Sequence, residues 1–261
     1  MHPILDALLP ALRAAGARAL AGPGRMHLKA DGSEVTAADL EVEALLSAGL
    51  AAAFPADGQR GEEGASRPGD PWWTIDPIDG TANFLGWSRG EHGDDRPGAA
   101  EGWWGPALAR LRGGVSEVGI LYYPARDELW FAAAGDGASR AGRPLARLDG
   151  PALQDDDLVL VPRKLRRHAE LARPLRTGSL RCTTAQMARV AAGDAAATLI
   201  SPGWGPWDVT PGLALLAEVG GGAWTLDGQP LNPLDPFAPP FVAGREDRAF
   251  ALAAALRPRG G

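Results

Sequence analysis

Residues 73–84 read WTIDPIDGTANF, an apolar run that ends in two aspartates and a Gly-Thr pair. This order predicts a buried strand whose C-terminal end presents Asp76 and Asp79, with a helix that begins just beyond them. Carboxylate oxygens are the ligands that Mg²⁺ prefers, and the free N–H groups at a helix N-terminus attract phosphate. A metal site beside a phosphate site indicates phosphoryl chemistry.

Two further acidic stretches support the same interpretation. Residues 207–221 read WDVTPGLALLAEVGG, in which Asp208 stands at the start of a helical pattern that stops at glycines. Upstream of the first stretch, residues 61–64 read GEEG and contribute Glu62 and Glu63. The chain therefore carries three acidic stretches, each next to a glycine or at a predicted helix end.

These stretches, in this order, resemble the signatures of the inositol monophosphatase family, namely Asp-Pro-x-Asp-Gly-Thr-x-Asn-Phe, Trp-Asp-x-x-x-Gly and an upstream Gly-Glu-Glu. Residues 35–39, VTAAD, are similar to the family's N-terminal Val-Thr-x-x-Asp element. The resemblance runs from about Lys29 to Leu231. It implies an α/β (α+β) fold, a layered α-β-α-β-α sandwich, with the site between an N-terminal α+β subdomain (1–140) and a C-terminal α/β subdomain (141–261).

The resemblance also implies a phosphatase that uses two or three Mg²⁺ ions. In this reading Asp76 bridges two ions, and a third, weaker ion joins in many members of the family. The implied metal ligands in this sequence are Glu62, Asp76, the main-chain carbonyl of Ile78, Asp79 and Asp208. Carboxylates gathered in this way repel one another unless a cation neutralises them.

The roles in catalysis and substrate binding are likewise implied by the resemblance. The catalytic set is Asp39, Glu62 and Thr81: Asp39 and the Thr81 hydroxyl orient the attacking water, and Glu62 helps to deprotonate it. The N–H groups of Gly80 and Thr81 hold the phosphate, and Ser201 and Asp208 complete the substrate-binding set. Glu63 is expected to support the ligands.

Each of these residues also has an ordinary structural interpretation that the sequence leaves open. An Asp-Gly pair such as Asp79-Gly80 is often only a turn, and Glu62-Glu63 alone would be a solvated loop. Asp39 is compatible with a surface acid in a helix, and Asp208 with a helix N-cap. Cys182 precedes two threonines, which favours packing or capping at a helix start over nucleophilic catalysis.

Composition excludes several classes of protein. The 261 residues carry a net charge of −6, which argues against a general nucleic-acid-binding protein. No apolar run approaches the length of a membrane span, and residues 1–21 lack the pattern of a signal peptide. The single cysteine excludes an internal disulfide. We therefore expect a cytoplasmic protein without nucleic-acid or membrane partners. The resemblance implies an enzyme that acts on a small phosphorylated metabolite and forms a homodimer.

Apolar periodicity, together with the positions of capping residues, glycine and proline, predicts the main helices and strands. Helices are expected over 3–21, from a Thr36 cap to about Ala53, over 185–192 and over 210–219, and strands over 72–76, 104–111, 115–122, 128–133, 158–161 and 196–200. Pro106 implies a sheet edge or a bulge, and residues 135–143 read as a loop.

Two segments depart from the family pattern or invite a second interpretation. Residues 86–102, rich in glycine and charge, resemble an insertion after the first signature, expected as a mobile loop near the site or at a subunit contact. Residues 163–168 read RKLRRH, either a solvated helix start or a contact for a second phosphate of the substrate.

The substrate stays open at this point. Inositol phosphatases carry a glutamate seven residues before the second-signature aspartate, and this chain has Ser201 there. Inositol 1-phosphate is the family default, with histidinol phosphate or 3′-phosphoadenosine 5′-phosphate as alternatives. A non-catalytic relative that serves as a binding module, and a nucleic-acid-associated protein that uses Arg163–Arg167, are the competing classes.

Overall fold

The computed structural model describes residues 2–28, 34–91, 101–163 and 169–258. Its helices are α1 (Pro3–Leu20), α2 (Ala37–Ala53), α3 (Thr81–Ser88), α4 (Thr183–Ala191), α5 (Pro206–Glu218) and α6 (Glu246–Ala255), with a 3-10 turn at Pro124–Arg126. None of the helices in these ranges is both long and apolar enough to cross a membrane.

An eight-stranded sheet forms the first half of the fold, in the order β10-β9-β8-β7-β6-β5-β3-β4. Its strands are β3 (Gly58–Gly61), β4 (Ser66–Arg67), β5 (Trp72–Asp79), β6 (Gly105–Arg112), β7 (Val115–Tyr123), β8 (Glu128–Ala133), β9 (Gly137–Arg140) and β10 (Arg143–Pro144). β5 lies parallel to β3 and antiparallel to β6.

A five-stranded sheet forms the second half, in the order β13-β11-β14-β16-β15. Its strands are β11 (Leu158–Leu160), β13 (Arg176–Gly178), β14 (Ala197–Ile200), β15 (Gly222–Thr225) and β16 (Phe241–Gly244). Two small antiparallel pairs join β1 (Met26–Leu28) to β2 (Glu34–Thr36) and β12 (Ala169–Leu171) to β17 (Leu256–Pro258).

Three buried cores hold five layers together. The core with Leu12, Leu46 and Ile75 packs α1 and α2 on one face of the large sheet. The core with Leu215 and Phe241 fills the middle layer, where α4 and α5 lie between the two sheets. A third core packs α6 on the outer face of the small sheet. This is the expected α-β-α-β-α sandwich; the division into subdomains near residue 140 stays a prediction.

The helix boundaries follow from local chemistry. The Thr36 hydroxyl accepts a hydrogen bond from the Asp39 N–H, and the Asp39 carboxylate accepts one from the Thr36 N–H. This reciprocal pair is a capping box, and it confirms the predicted start of α2. The helix expected from Thr210 begins earlier, at Pro206, because proline suits the first turn of a helix, where its missing N–H costs nothing.

Two expectations for the large sheet need correction. Residues 135–143 are not simply a loop, because β9 pairs with β8 there and extends the sheet. Pro106 lies inside β6, between β5 and β7, so the expectation of a sheet edge was wrong. The expected irregularity is present, since the register between β5 and β6 shifts between Asp76 and Asp79. This β-bulge directs the end of β5 toward the site.

Candidate functional site

The first signature forms the end of β5 and the start of α3. Gly80 is the N-cap of α3 with φ +81°, in the left-handed region that glycine adopts freely. A Cβ on Gly80 would lie 2.9 Å from the Trp103 carbonyl oxygen and 3.1 Å from the Cys182 Cβ. The Thr81 hydroxyl donates to the Ile78 carbonyl oxygen at 3.2 Å. Only glycine therefore fits the turn that links the two aspartates to the helix.

Three predicted carboxylates come together at this turn. Asp76 and Asp79 from β5 and Asp208 from the first turn of α5 each offer an oxygen, and these oxygens lie within 4.8 Å of one another. Asp76 and Asp79 are buried, and Asp208 is half-buried. The fold thus brings together acids that are more than a hundred residues apart in sequence, in a set of oxygen donors typical of a Mg²⁺ site.

Asp76 is the centre of this cluster and is fully buried. Neither of its carboxylate oxygens has a hydrogen-bond donor among the described residues. Burial first, and then the charges of Glu62, Asp79, Asp208 and Asp39, raise the pKa of Asp76 well above its usual value. Asp76 and Asp208 can hydrogen-bond to each other only when one of the two carboxyl groups is protonated. Since a buried, unpaired carboxylate is costly, the residues present fit a divalent cation.

Asp208 lies at the third position of α5, where its carboxylate accepts a hydrogen bond from the Gly205 N–H at 2.5 Å. It is therefore not the N-cap residue itself, although it does cap the helix end. Burial and the charge of Asp79 raise its pKa to about 8. The hydrogen bond fixes the carboxylate in place, and the raised pKa reflects burial first and then the repulsion between the acids, which a metal ion would relieve.

Asp79 is held by the N-terminus of α4. Its Oδ2 accepts hydrogen bonds from the Thr184 N–H at 2.7 Å, the Thr184 hydroxyl at 2.6 Å and the Cys182 thiol at 3.1 Å. Its Oδ1 accepts a longer bond, of 3.4 Å, from the Thr183 N–H. These contacts orient a candidate ligand from the opposite half of the fold, a supporting role common around metal ligands.

Cys182 supports the site and is unsuited to nucleophilic attack. The residue is buried and is the N-cap of α4. Burial, together with the adjacent charge of Asp79, raises the pKa of the thiol well above its usual value. Because the thiolate is the reactive form, the protonated thiol acts here as a hydrogen-bond donor. Of the two predicted roles, packing or capping, packing is confirmed, since Cys182 is buried in the core and its side chain makes no capping hydrogen bond to α4.

Asp39 approaches the cluster from α2. It is buried, and its Oδ2 accepts hydrogen bonds from the Thr36 N–H at 2.8 Å and the Thr36 hydroxyl at 2.5 Å. The interpretation of Asp39 as a surface acid is therefore wrong. Its charge contributes to the raised pKa of Asp76, so the two carboxyl groups interact electrostatically.

Glu62 and Glu63 lie half-buried in the loop after β3, and Glu43 anchors that loop. The Glu43 carboxylate, 5% exposed, accepts hydrogen bonds from the Glu63 N–H and the Ala65 N–H, both at 2.7 Å. A Cβ on Gly61 would lie 2.3 Å from Glu43 Oε2. The charge of Glu62 contributes to the raised pKa values of Asp76 and Asp208. The Glu62 N–H donates to the Ile75 carbonyl at 3.0 Å, next to Asp76 in sequence, but Glu62 is not among the acids whose oxygens lie within 4.8 Å of one another.

A cavity of about 590 Å³ opens beside the cluster, with Asp208 in its wall. Its lining residues include Ser201 and Trp204 from the segment before α5, Arg163 from the segment after β11, and Arg181 from the segment before α4. Ser201 and Asp208 therefore line the same cavity. The volume lies within the range of small-molecule sites.

Parts of the sequence-based predictions fall outside the described residues. Of the segment 86–102, residues 92–100 are outside, while 86–88 belong to α3 instead of a loop. Of the basic run, Arg163 is described and exposed, and 164–168 are outside.

Two residues that hold the site, Glu43 and Thr184, were not predicted from the sequence. Glu43 follows Asp39 by four residues, a spacing that puts both on one face of α2, and this spacing was the available signal. The hydrogen bonds from Thr184 to Asp79 join residues 105 positions apart, and no local sequence pattern indicates them.

Comparison with known proteins adds to this geometry. The sequence model of the inositol monophosphatase family matches residues 3–259. The chain belongs to the inositol monophosphatase family. It is 30% identical over 217 residues to the inositol-1-monophosphatase of Bacillus subtilis, covering 77% of this chain and 76% of that protein. It is 31% identical over 245 residues to Nus factor SuhB of Escherichia coli K12, covering 85% and 84%.

Other members of the family extend the comparison. The histidinol-phosphatase of Chlorobaculum parvum is 35% identical over 151 residues, so the chain spans only 53% of that relative. The solved inositol monophosphatase of Anabaena (Nostoc) sp. PCC 7120 superimposes with a TM-score of 0.74 at 26% identity, covering 98% of this chain and 97% of that one. An IMPase/NADP phosphatase solved with Mg²⁺ and phosphate has the same fold, with a TM-score of 0.79 at 19% identity and coverage of 99% and 95%.

Proposed function

We propose that this chain is a Mg²⁺-dependent phosphomonoesterase that hydrolyses a small phosphorylated metabolite. The observation that carries the proposal is the buried Asp76 carboxylate, which lacks a hydrogen-bond donor in the described part of the chain and lies in one cluster with Asp79 and Asp208. A hydrolytic role is supported by membership of a phosphatase family. A divalent cation is the group that would compensate these charges.

The proposed metal ligands are Glu62, Asp76, the Ile78 carbonyl, Asp79 and Asp208, for two or three ions. When bound, Mg²⁺ neutralises the charge of the phosphate and lowers the pKa of a coordinated water molecule. The protein's own contribution is to keep the acids in position. The Gly205 N–H holds Asp208, and the N-terminus of α4 holds Asp79.

The remaining roles fall to residues at the β5–α3 turn and the start of α2. The N–H groups of Gly80 and Thr81, at the N-terminus of α3, are the proposed phosphate donors. The Thr81 hydroxyl and Asp39 would orient the attacking water, and Glu62 would help to deprotonate it as a ligand of the bound metal. Asp39 is suited to this because its capping bonds to Thr36 fix its carboxylate.

For the substrate, inositol 1-phosphate is the default, supported by the similarity to an inositol-1-monophosphatase over most of both chains. Histidinol phosphate is an alternative supported by a match over about half of a histidinol-phosphatase. A bisphosphate such as 3′-phosphoadenosine 5′-phosphate is the third, supported by Arg163 in the cavity wall. A homodimer, which rests on the family resemblance, and a cytoplasmic location, which rests on the composition, are also part of the proposal.

A phosphate-release screen with and without Mg²⁺ tests the proposal. It covers inositol 1-phosphate, histidinol phosphate, fructose 1,6-bisphosphate and 3′-phosphoadenosine 5′-phosphate. We expect release from at least one compound that requires Mg²⁺ and falls on chelation. No release from any compound, with the metal bound, would favour the non-catalytic binding module; full activity in a chelated sample would refute the metal-dependent mechanism.

A further inference from the structure

Tyr123 is a fully buried tyrosine that has no role in the proposed mechanism. It is the last residue of β7, and its hydroxyl oxygen lies 3.2 Å from Thr184 Oγ1, in the first turn of α4. Thr184 is the residue whose N–H and hydroxyl both donate to Asp79 Oδ2. A single hydrogen-bonded residue therefore separates Tyr123 from a proposed metal ligand.

The direction of these hydrogen bonds follows from the number of protons available. A hydroxyl carries one proton, and an ionised carboxylate only accepts. The Thr184 hydroxyl donates its proton to Asp79 Oδ2 at 2.6 Å, so the Tyr123 hydroxyl is the donor to Thr184 Oγ1. Cys182 Sγ is 3.6 Å from the same oxygen, but the thiol donates to Asp79 Oδ2 at 3.1 Å. Two hydroxyl groups thus form a donor chain, from Tyr123 to Thr184 to Asp79.

Burial strengthens this donor chain. Tyr123 and Thr184 are fully buried and Asp79 is 7% exposed, so water competes little for their hydrogen bonds. In such an interior, a hydroxyl that accepts a hydrogen bond donates a stronger one. The chain ends on Asp79 Oδ2, whereas the bond from the Thr183 N–H to Oδ1 is longer, at 3.4 Å. Oδ1 therefore keeps more capacity for a cation, and the chain fixes the direction in which it points.

The ring of Tyr123 makes a second link, to the turn between β5 and α3. It packs edge-on against Trp103, with the ring centroids 5.1 Å apart. The Trp103 carbonyl accepts a hydrogen bond from the Asn83 side chain at 2.9 Å, and a Cβ on Gly80 would lie 2.9 Å from the same carbonyl oxygen. Tyr123 therefore contacts both the residue that holds Asp79 and the residue that packs against the Gly80 turn.

We propose that Tyr123 is a positioning residue for the carboxylate cluster. By donating to Thr184, it fixes the Thr184 hydroxyl toward Asp79, and in this way it sets the affinity of the cluster for Mg²⁺. This inference rests on the metal site of the proposed function. The Tyr123 hydroxyl itself is expected to touch neither the metal ion nor the substrate.

The variant that tests this role is Tyr123→Phe, which removes the hydroxyl and leaves the ring against Trp103. Its matched control is Tyr122→Phe. Successive residues of a strand point to opposite faces, and Tyr122 belongs to the core around α1 and α2, where its hydroxyl accepts from Arg13 at 2.7 Å and donates to Asp127 at 3.0 Å. Both variants lose hydrogen bonds of one tyrosine, so both should lower Tm, but only Tyr123→Phe breaks the chain to Asp79.

Calorimetric titration of Mg²⁺ into the chelator-stripped proteins gives the deciding measurement. We expect the Mg²⁺ dissociation constant to rise by about threefold to tenfold in Tyr123→Phe, which is the effect of one typical hydrogen bond. In Tyr122→Phe it should stay within about twofold of the wild-type value. A purely structural role would lower Tm in both variants without this difference in Mg²⁺ affinity.

Thr184→Val removes the acceptor of the same bond and provides a double-mutant cycle. Thr184→Ser keeps the hydroxyl and should bind Mg²⁺ as the wild type does, whereas Thr184→Val should bind it more weakly. Adding Tyr123→Phe to Thr184→Val should change the Mg²⁺ dissociation constant by less than about twofold, because the chain is already broken.

Phosphate release by the same proteins separates this inference from the proposed function. Mg²⁺ binding that weakens only when the chain is broken supports the positioning role, even if the wild type releases no phosphate and the phosphatase proposal fails. An active wild type with an unchanged Mg²⁺ dissociation constant in Tyr123→Phe would overturn the positioning role and leave the phosphatase proposal intact. An equal loss in Tyr122→Phe, an equal effect of Tyr123→Phe in the Thr184→Val background, or no Mg²⁺ binding by the wild type would also overturn it.

Discussion

Thr74 Oγ1 lies 2.9 Å from Thr210 Oγ1, and this hydrogen bond joins β5 to α5 two residues away from both Asp76 and Asp208. Both threonines are fully buried. The Thr210 hydroxyl donates to the Pro206 carbonyl at 2.7 Å, so Thr74 is the donor in the pair. The bond therefore fixes the distance between the two elements that carry two of the clustered carboxylates.

Replacing Thr210 with valine should lower the free energy of unfolding by about 1–3 kcal/mol, because the buried Thr74 hydroxyl loses its acceptor. Its other acceptor, the Ala109 carbonyl, is 3.5 Å away. Mg²⁺ affinity should also fall severalfold. Urea denaturation and calorimetry measure both effects. The double variant Thr74→Val/Thr210→Val should be little less stable than Thr210→Val alone; unchanged stability in Thr210→Val would contradict this role.

The metal-free protein should lose stability as the pH rises from about 4 toward 8. The pKa of Asp208 is about 8 in the fold, and that of Asp76 is raised as well, whereas unfolded aspartates have a pKa of about 3.9. The folded state therefore binds more protons across this window, and each group lowers stability by up to about 1.4 kcal/mol per pH unit.

Chemical denaturation with a chelator, across pH 5 to 8, measures this slope. Saturating Mg²⁺ and the variant Asp208→Asn should each flatten it. Burial raises the pKa of Asp57, but hydrogen bonds from Arg110 and Trp73 lower it by more. Asp57 therefore changes the pH dependence of stability only below pH 5. Rising stability of the chelated protein between pH 5 and 8 would be inconsistent with the burial of these acids.

Glu43 should control Mg²⁺ affinity through the loop that carries Glu62. Glu43→Gln can accept only one of the two loop N–H groups, and Glu43→Ala accepts neither. Two Mg²⁺ concentrations should increase severalfold in Glu43→Gln, the one that gives half-maximal activity and the one that gives half of the Mg²⁺-induced rise in Tm. Both should increase further in Glu43→Ala. Glu41→Gln, at an exposed position of the same helix, is the control. The same Mg²⁺ response in all variants would rule this role out.

Cys182→Ser should keep turnover within a few-fold of the wild type, because a serine hydroxyl also donates a hydrogen bond to Asp79. Cys182→Ala, which removes the donor, should lower Mg²⁺ affinity more than Cys182→Ser does. Steady-state kinetics at several Mg²⁺ concentrations distinguishes the two variants. A loss of activity by more than about a hundredfold in Cys182→Ser would instead point to a nucleophilic thiol.

Contiguous motifs made the metal cluster and the layered fold predictable. Asp76, Asp79 and Gly80 lie within five residues, so strand, bulge and helix start are encoded together. Asp208 was found because it opens a helix that ends at glycines. The helix over 37–53 followed from a capping residue and an apolar pattern, both of which are local.

The features that sequence analysis missed depend on contacts between distant residues. Glu43 supports a loop twenty residues further on, and nothing near Glu43 in the sequence indicates that partner. Residues 137–140 form a strand because β8 offers an edge for pairing, although Gly135 and Gly137 at its start favour a loop. The tolerance for Pro106 inside the sheet likewise comes from the bulge opposite it.

The most direct test of the proposed metal centre is calorimetric titration of Mg²⁺ into the chelator-stripped protein and its Asp76→Asn variant, with Asp136→Asn as an exposed control. Asp76 is expected to bridge ions, so its loss should abolish measurable Mg²⁺ binding and reduce kcat below about a tenth of the wild-type value. The control should bind Mg²⁺ as the wild type does. Unchanged Mg²⁺ affinity in Asp76→Asn would contradict the account.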